Sequence, residues 1–226
     1  MFYLNDKTFD RIFKQIRDNK PDLVIFTGDC IQSKFQQIDA IQFAEWMEKI
    51  GVYWAYVFGN HEAREEKSYY KYLIFKSLVD YPHCLSKFGN KDLFGYGNFI
   101  INIMNSDTEL KHSLFFFDSG RDVIESHALN DNVPLEYVNS YDYIKPSQIR
   151  WYENELKSLS NTYGEVKNSL YMHIPIPEYK QIKANEKTIS AFLSMLLILF
   201  ILCKYKNINL TILNHLNFFF LFLFDF

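Results

Sequence analysis

Apolar positions along the first third of this chain alternate between two periods, and each change of period marks an element. Phe9, Ile12, Phe13 and Ile16 recur at spacings of three and four, which predicts an amphipathic helix over 7–19. Pro21-Asp22 punctuates it, and the unbroken run Leu23-Val24-Ile25-Phe26 predicts a buried strand that ends at Gly28-Asp29. Ile38, Ile41, Phe43-Ala44, Met47 and Ile50 form the stripe of a second helix over 36–50, with Gly51 as its stop signal. Residues 52–58 (Val-Tyr-Trp-Ala-Tyr-Val-Phe) are apolar throughout, as expected of a strand covered on both faces. Strand, helix and strand at this spacing predict a βαβ unit and a parallel sheet.

Beyond Glu62 the charged run Arg64-Glu65-Glu66-Lys67 reads as the solvated face of a helix that continues to about Val79. The pattern then turns β-rich. Residues 98–104 and 113–118 read as antiparallel strands joined through Asn105-Ser106-Asp107. Pro146-Ser147 opens a helix over 146–159 carrying Ile149, Trp151-Tyr152, Leu156 and Leu159, and Leu170–Met172 is a short strand running into His173.

From about Ile182 the character changes once more. Residues 182–226 contain neither Gly nor Pro, and they hold two apolar blocks, Ile189–Cys203 and Phe218–Phe224. The first block has fifteen residues, short of the roughly 20 that a spanning helix needs. Three readings stay open: a marginal membrane anchor, a core helix with an aggregation-prone end, or sequence foreign to the domain. The absence of polar patterning favours the third. The expected organisation is therefore a partial domain over 1–181 followed by a hydrophobic tail over 182–226.

Composition narrows the function classes. The formal net charge of −3 speaks against a partner with a phosphate backbone, so no nucleic acid is expected. Cys30, Cys84 and Cys203 are too scattered for a disulfide framework or a paired zinc site, which favours a reducing compartment. The start, Met-Phe-Tyr-Leu-Asn-Asp-Lys, does not read as a targeting segment, so a cytoplasmic location is expected, with membrane association through 189–226 as the alternative. The 22 Phe and 16 Tyr carry little weight, because an AT-rich genome produces the same bias.

The candidate chemistry stands at the strand ends. Phe26-Thr27-Gly28-Asp29, Val57-Phe58-Gly59-Asn60-His61-Glu62 and Tyr171-Met172-His173-Ile174-Pro175 each carry an apolar run into a metal-capable residue. Each alone is weak, since Gly-Asp after a strand is usually a turn that caps the next helix. Together they gain force, because the carboxyl edge of a parallel sheet would collect all three on one rim. A carboxylate can bridge two cations, an amide oxygen and an imidazole nitrogen supply neutral donors, and a further imidazole can handle protons near neutral pH.

Gly28-Asp29, Gly59-Asn60-His61-Glu62 and His173 resemble the calcineurin-like metallophosphoesterases, whose pattern runs DxH, GD, GNH(E/D), His and GHxH. Phe116-Phe117-Asp118-Ser119-Gly120, Tyr141 to Gln148 (YDYIKPSQ) and His173 to Tyr179 (HIPIPEY) are similar to phrases of its purple-acid-phosphatase-like and yeast cell-cycle phosphatase-like branch. The resemblance covers residues from about 5 to 182. It implies an α/β fold of the metallophosphoesterase α/β/β/α sandwich type with mixed sheets, and a phosphoric ester hydrolase with two metal ions (Fe, Zn or Mn). It further implies that Asp29 bridges the metals, that Asn60 and His173 bind the second, and that His61 orients the phosphate and protonates the leaving oxygen. The nucleophile it implies is a metal-bridging hydroxide.

Two parts of the family pattern do not appear in this sequence. Neither Asp6 nor Asp10 is followed two residues on by His, and Asn214-His215-Leu216-Asn217 is no GHxH. The expected fold is thus incomplete, lacking the first strand and the last metal loop, with an exposed apolar edge at Leu23–Phe26. Of the implied ligands the first metal keeps Asp29 alone and the second keeps Asp29, Asn60 and His173, so at most one ion is expected to be well held. The expected function is a phosphatase impaired in turnover on phosphoprotein or small phosphoester substrates. The alternatives are a non-catalytic remnant binding a metal or a phospho-ligand, and a membrane-tethered protein acting through its tail.

Overall fold

A computed structural model describes residues 6–31, 33–62, 68–176, 204–210 and 213–221. The charges of Arg64–Lys67, the apolar block Ile189–Cys203 and the Glu178-Tyr179 end of the last phrase lie outside the described residues. The first half follows the expected order: α1 (Asp6–Asn19), β1 (Leu23–Phe26), α2 (Gln36–Ile50), β2 (Tyr53–Tyr56) and α3 (Ser68–Val79). Then come β3 (Phe99–Ser106), β4 (Glu109–Phe116), α4 (Glu125–Asp131), a 3-10 turn at Leu135–Tyr137, α5 (Pro146–Tyr163) and β5 (Asn168–Tyr171). Two further strands, β6 (Lys204–Leu210) and β7 (Leu213–Leu221), close the list.

Several boundaries differ from the sequence expectation. The second strand is shorter than 52–58, because Val57 leaves the ladder after its N–H reaches the Phe26 carbonyl at 2.8 Å. The β3–β4 hairpin extends to Ser106↔Glu109, so the turn is Asp107-Thr108 and residues 109–112 are strand rather than connection. Helix α5 runs four residues past 159, and the strand before His173 starts at Asn168 rather than Leu170. Helix α4 and the 3-10 turn were not expected at all. They have seven and three residues, too few for a periodic stripe to register.

The fold is a mixed α/β architecture with the strand order β2-β1-β7-β6-β3-β4-β5. Strand β1 pairs parallel with β2 and with β7, β4 pairs parallel with β5, and β3–β4 and β6–β7 are antiparallel. The apolar edge expected at Leu23–Phe26 is covered, since Leu23 to Phe26 register with Phe218 to Leu221 of β7. No helix among the described residues is long and apolar enough to cross a membrane.

Strands β2 and β5 stand at opposite ends of this order, yet Asn60 and His173, which follow them, approach to 2.9 Å. The sheet therefore folds into two layers facing each other across one core. Leu23–Phe26 and Trp54–Tyr56 share that core with Phe99, Ile101, Ile103, Leu114, Phe116 and Tyr171. The alternation along β4 assigns its other face: Phe115 and Phe117 pack edge-on against Trp151 and Tyr152 of α5. Phe26, Phe43, Trp54, Tyr56 and Phe58 form a chain of aromatic contacts beneath the β1–β2 rim. This gives the strand ends that carry the candidate residues a rigid floor.

Candidate functional site

The strand ends of β1 and β2 approach so closely that only glycine fits between them. A Cβ on Gly28, whose φ is +96°, would lie 2.4 Å from the Gly59 nitrogen, and one on Gly59 would lie 2.0 Å from Asp29 Oδ1. Asp29 itself has φ +56°, a left-handed conformation that a non-glycine residue keeps only when its surroundings over-determine it. The surroundings here are the Glu62 carboxylate, only 2 % exposed. It accepts the backbone N–H groups of Gly59 (2.7 Å), Asp29 (2.9 Å) and Ile31 (3.1 Å), and the Tyr56 hydroxyl as well. One side chain thereby holds two turns and fixes Asp29 relative to Asn60. Burial, together with the nearby Asp29 charge, pushes the Glu62 carboxyl above its ordinary value.

Asp29 Oδ1 accepts the His61 N–H at 2.9 Å, and Asp29 Oδ2 lies 3.2 Å from His173 Nε2. His173 Nε2 is also 2.9 Å from Asn60 Oδ1, while Nδ1 donates to the Thr27 carbonyl at 2.8 Å. Asp29 and Asn60, from two strand ends, thus both stand within hydrogen-bonding distance of His173 Nε2 from a third. His61 stands beside this group with Nε2 3.9 Å from Asp29 Oδ2, its side chain a quarter exposed at 26 %. Burial opposes charge on both Asp29 and His173. The hydrogen bond and charge between them prevail, lowering the Asp29 carboxyl and raising the His173 imidazole.

The hydrogen-bond pattern of His173 bears on metal binding. A carbonyl can only accept, so Nδ1 carries a proton and a neutral His173 has its lone pair on Nε2. That lone pair, the Asp29 carboxylate oxygen and the Asn60 amide oxygen then face one another, and a proton or a cation must reconcile them. A ligating histidine ordinarily shows this arrangement, with its other ring N–H on a backbone carbonyl. Among the described residues no group of three or more His, Cys, Asp and Glu side chains stands together as a metal cluster, and the donor that joins Asp29 and His173 here is the Asn60 amide oxygen.

Thr27, Glu62 and Ser119 have parts in the site that their sequence positions do not reveal. Glu62 lay within the GNHE phrase, but its bonds to residues 31 and 33 positions away leave no local signal. Ser119 Oγ accepts the N–H of Ile174, the residue after His173, at 2.9 Å.

The calcineurin-like phosphoesterase family model matches residues 4–212. The chain belongs to the calcineurin-like phosphoesterase family. Curated relatives include three proteins of Arabidopsis thaliana. "Probable inactive purple acid phosphatase 29" is 28 % identical over 195 residues, covering 76 % of this chain and 46 % of that protein. "Probable inactive purple acid phosphatase 14" is 26 % identical over 197 residues, 78 % of this chain and 46 % of that protein. "Probable inactive purple acid phosphatase 28" is 27 % identical over 200 residues, 80 % of this chain and 48 % of that protein. The chain therefore spans about half the length of the curated relatives it matches. No solved structure matches it.

Proposed function

We propose that Asp29, Asn60 and His173 hold a single divalent cation to which a phosphate ester binds, and that the residues of this sequence alone support little hydrolysis. The observation that supports this reading is the convergence of Asn60 Oδ1 (2.9 Å) and Asp29 Oδ2 (3.2 Å) on His173 Nε2, with Nδ1 committed to the Thr27 carbonyl. A bound cation supplies Lewis-acid polarisation of a phosphoryl oxygen. The chain's own residues do the rest. Asp29 offsets positive charge at the site, and Glu62 keeps Asp29 in its left-handed turn. The His61 imidazole, beside Asp29 and partly exposed, orients a phosphate oxygen and can deliver a proton to the leaving oxygen.

Low turnover follows from the donor count. Disturbing one partner behind a ligand costs about 10–100-fold in affinity or activity, and among the described residues a second ion would find only the Asp29 carboxylate to share. The names of the three relatives, each a probable inactive phosphatase, favour the binding reading over the hydrolytic one. An assay with p-nitrophenyl phosphate and added Mn²⁺, comparing wild type with His61→Ala, tests it. Turnover at or near background in both is expected. Robust turnover that His61→Ala abolishes would show an intact catalyst. The metal identity and substrate are those of the family at large, Fe, Zn or Mn and a phosphate ester.

A further inference from the structure

We infer that Ser119 is the positioning residue for His173, and that the Asp118-Ser119-Gly120 turn, Asn98 and Gln148 form one buried scaffold that serves it. The β4–β5 ladder ends where the Phe117 N–H meets the Tyr171 carbonyl at 2.9 Å. Chain 172–173 then leaves the sheet to carry His173 across to Thr27 and Asn60. It is next tied down by the buried Ile174, whose N–H donates to Ser119 Oγ at 2.9 Å. His173 is therefore hung between two fixed points, and Ser119 is the one outside the ladder.

Ser119 is fully buried, and the turn that presents it is held from every side. The Asp118 carboxylate accepts Lys71 Nζ at 2.6 Å, the Tyr96 N–H at 2.9 Å and the Gly120 N–H at 3.0 Å. The Asp118 N–H donates to Asn98 Oδ1 at 3.2 Å, and Gln148 Nε2 donates to both Asn98 Oδ1 (2.7 Å) and the Asp118 carbonyl (2.8 Å). The Gln148 amide oxygen is in turn fixed by the Lys145 N–H at 2.7 Å. Asn98, Asp118, Ser119 and Gln148 are each at most 1 % exposed. A buried network in which each of these side chains is bonded specifies one geometry. The two sequence phrases around 116–120 and 141–148, distant from the metal-capable residues in sequence, thus converge on the placement of one imidazole.

The test is heteronuclear NMR of the histidine rings in wild type, Ser119→Ala and, as a control, Ser113→Ala. Ser113 is equally buried and bonds Asn102 Oδ1 at 2.8 Å within the β3–β4 hairpin. The His173 Nδ1–H proton, held on the Thr27 carbonyl, should be observed in wild type and Ser113→Ala and lost or broadened in Ser119→Ala. If Ser119→Ala fails to fold, Ser119→Cys, which leaves a weaker sulfur acceptor in place, should show the same loss. The second readout rests on the single-cation reading: Mn²⁺ affinity should fall about 10–100-fold in Ser119→Ala and stay within twofold in Ser113→Ala. An unchanged His173 signal in the folded Ser119 variant overturns the inference, as does an equal loss in Ser113→Ala. Absence of Mn²⁺ binding by wild type overturns the single-cation reading instead, and the ring signal still decides the role of Ser119.

Discussion

The two layers deliver their residues to the site by contrasting means. On the β1–β2 side, backbone touches backbone: Gly28 and Gly59 allow the turns to meet, and one carboxylate, Glu62, gathers three N–H groups and a hydroxyl. On the β4–β5 side, amide and hydroxyl side chains span the gap, and the central carboxylate, Asp118, is partnered by Lys71. The first arrangement concentrates its order in one residue and leaves no steric slack. The second shares it among several side chains, so each should matter less.

The largest expected effect therefore belongs to Glu62. Replacing it by Ala orphans three N–H groups in or beside the two turns, and each buried orphan costs about 1–3 kcal/mol. Urea unfolding of Glu62→Ala should show a loss of at least about 3 kcal/mol. A loss below about 1 kcal/mol would mean that water replaces the carboxylate and that the turns hold themselves.

Gly59→Ala comes next. Its Cβ would stand 2.0 Å from Asp29 Oδ1 and 2.4 Å from Asp29 N, so the turn itself must move. Overpacking of this kind costs about 1–3 kcal/mol, and the variant should also weaken Mn²⁺ binding in calorimetric titration. Unchanged stability and binding would break the claim of close approach.

Asp118→Asn tests the other side. It leaves Lys71 without its carboxylate but keeps an acceptor for one backbone N–H, so about 2 kcal/mol is expected in the same unfolding assay. A cost equal to that of Glu62→Ala would erase the contrast between the layers.

The smallest effect is one of pH, and it comes from the β4–β5 ladder rather than from Glu62 or the Asp118 scaffold. His112 on β4 has Nε2 2.9 Å from Ser169 Oγ of β5. Burial, assisted by the Lys167 charge, holds its imidazole below the ordinary histidine value. The unfolded chain therefore takes up that proton more readily than the folded one. The stability this group contributes is complete above the unfolded value and is lost as pH falls through the lower folded value. Between pH 7.5 and 5.5 wild type should lose slightly more stability than His112→Gln, read from urea midpoints. An equal loss in both would show that His112 is not the source.

How much of this was legible in the sequence follows the same division. Leu23–Phe26 and Val52–Phe58 announced buried parallel strands, and Asp29, Asn60, His61 and His173 announced themselves as polar residues at strand ends, a local pattern. The bonds behind them were not legible. Glu62 reaches Ile31 across 31 positions, Ser119 reaches Ile174 across 55 and Gln148 reaches Asn98 across 50. Nothing in periodicity or spacing encodes such pairings, which exist only once the two layers face each other. The cover that β7 gives to β1 was hidden for a related reason: an unpunctuated Phe-Leu block declares hydrophobicity but not register.

We propose that the strand ends meet as a site for one cation. The most direct measurement is the stoichiometry of Mn²⁺ binding, by calorimetry and by electron paramagnetic resonance of the free ion, on wild type and His173→Ala. One ion per chain is expected in wild type, and that ion should be lost in His173→Ala. Two ions per chain, or one ion bound equally well without His173, would contradict it.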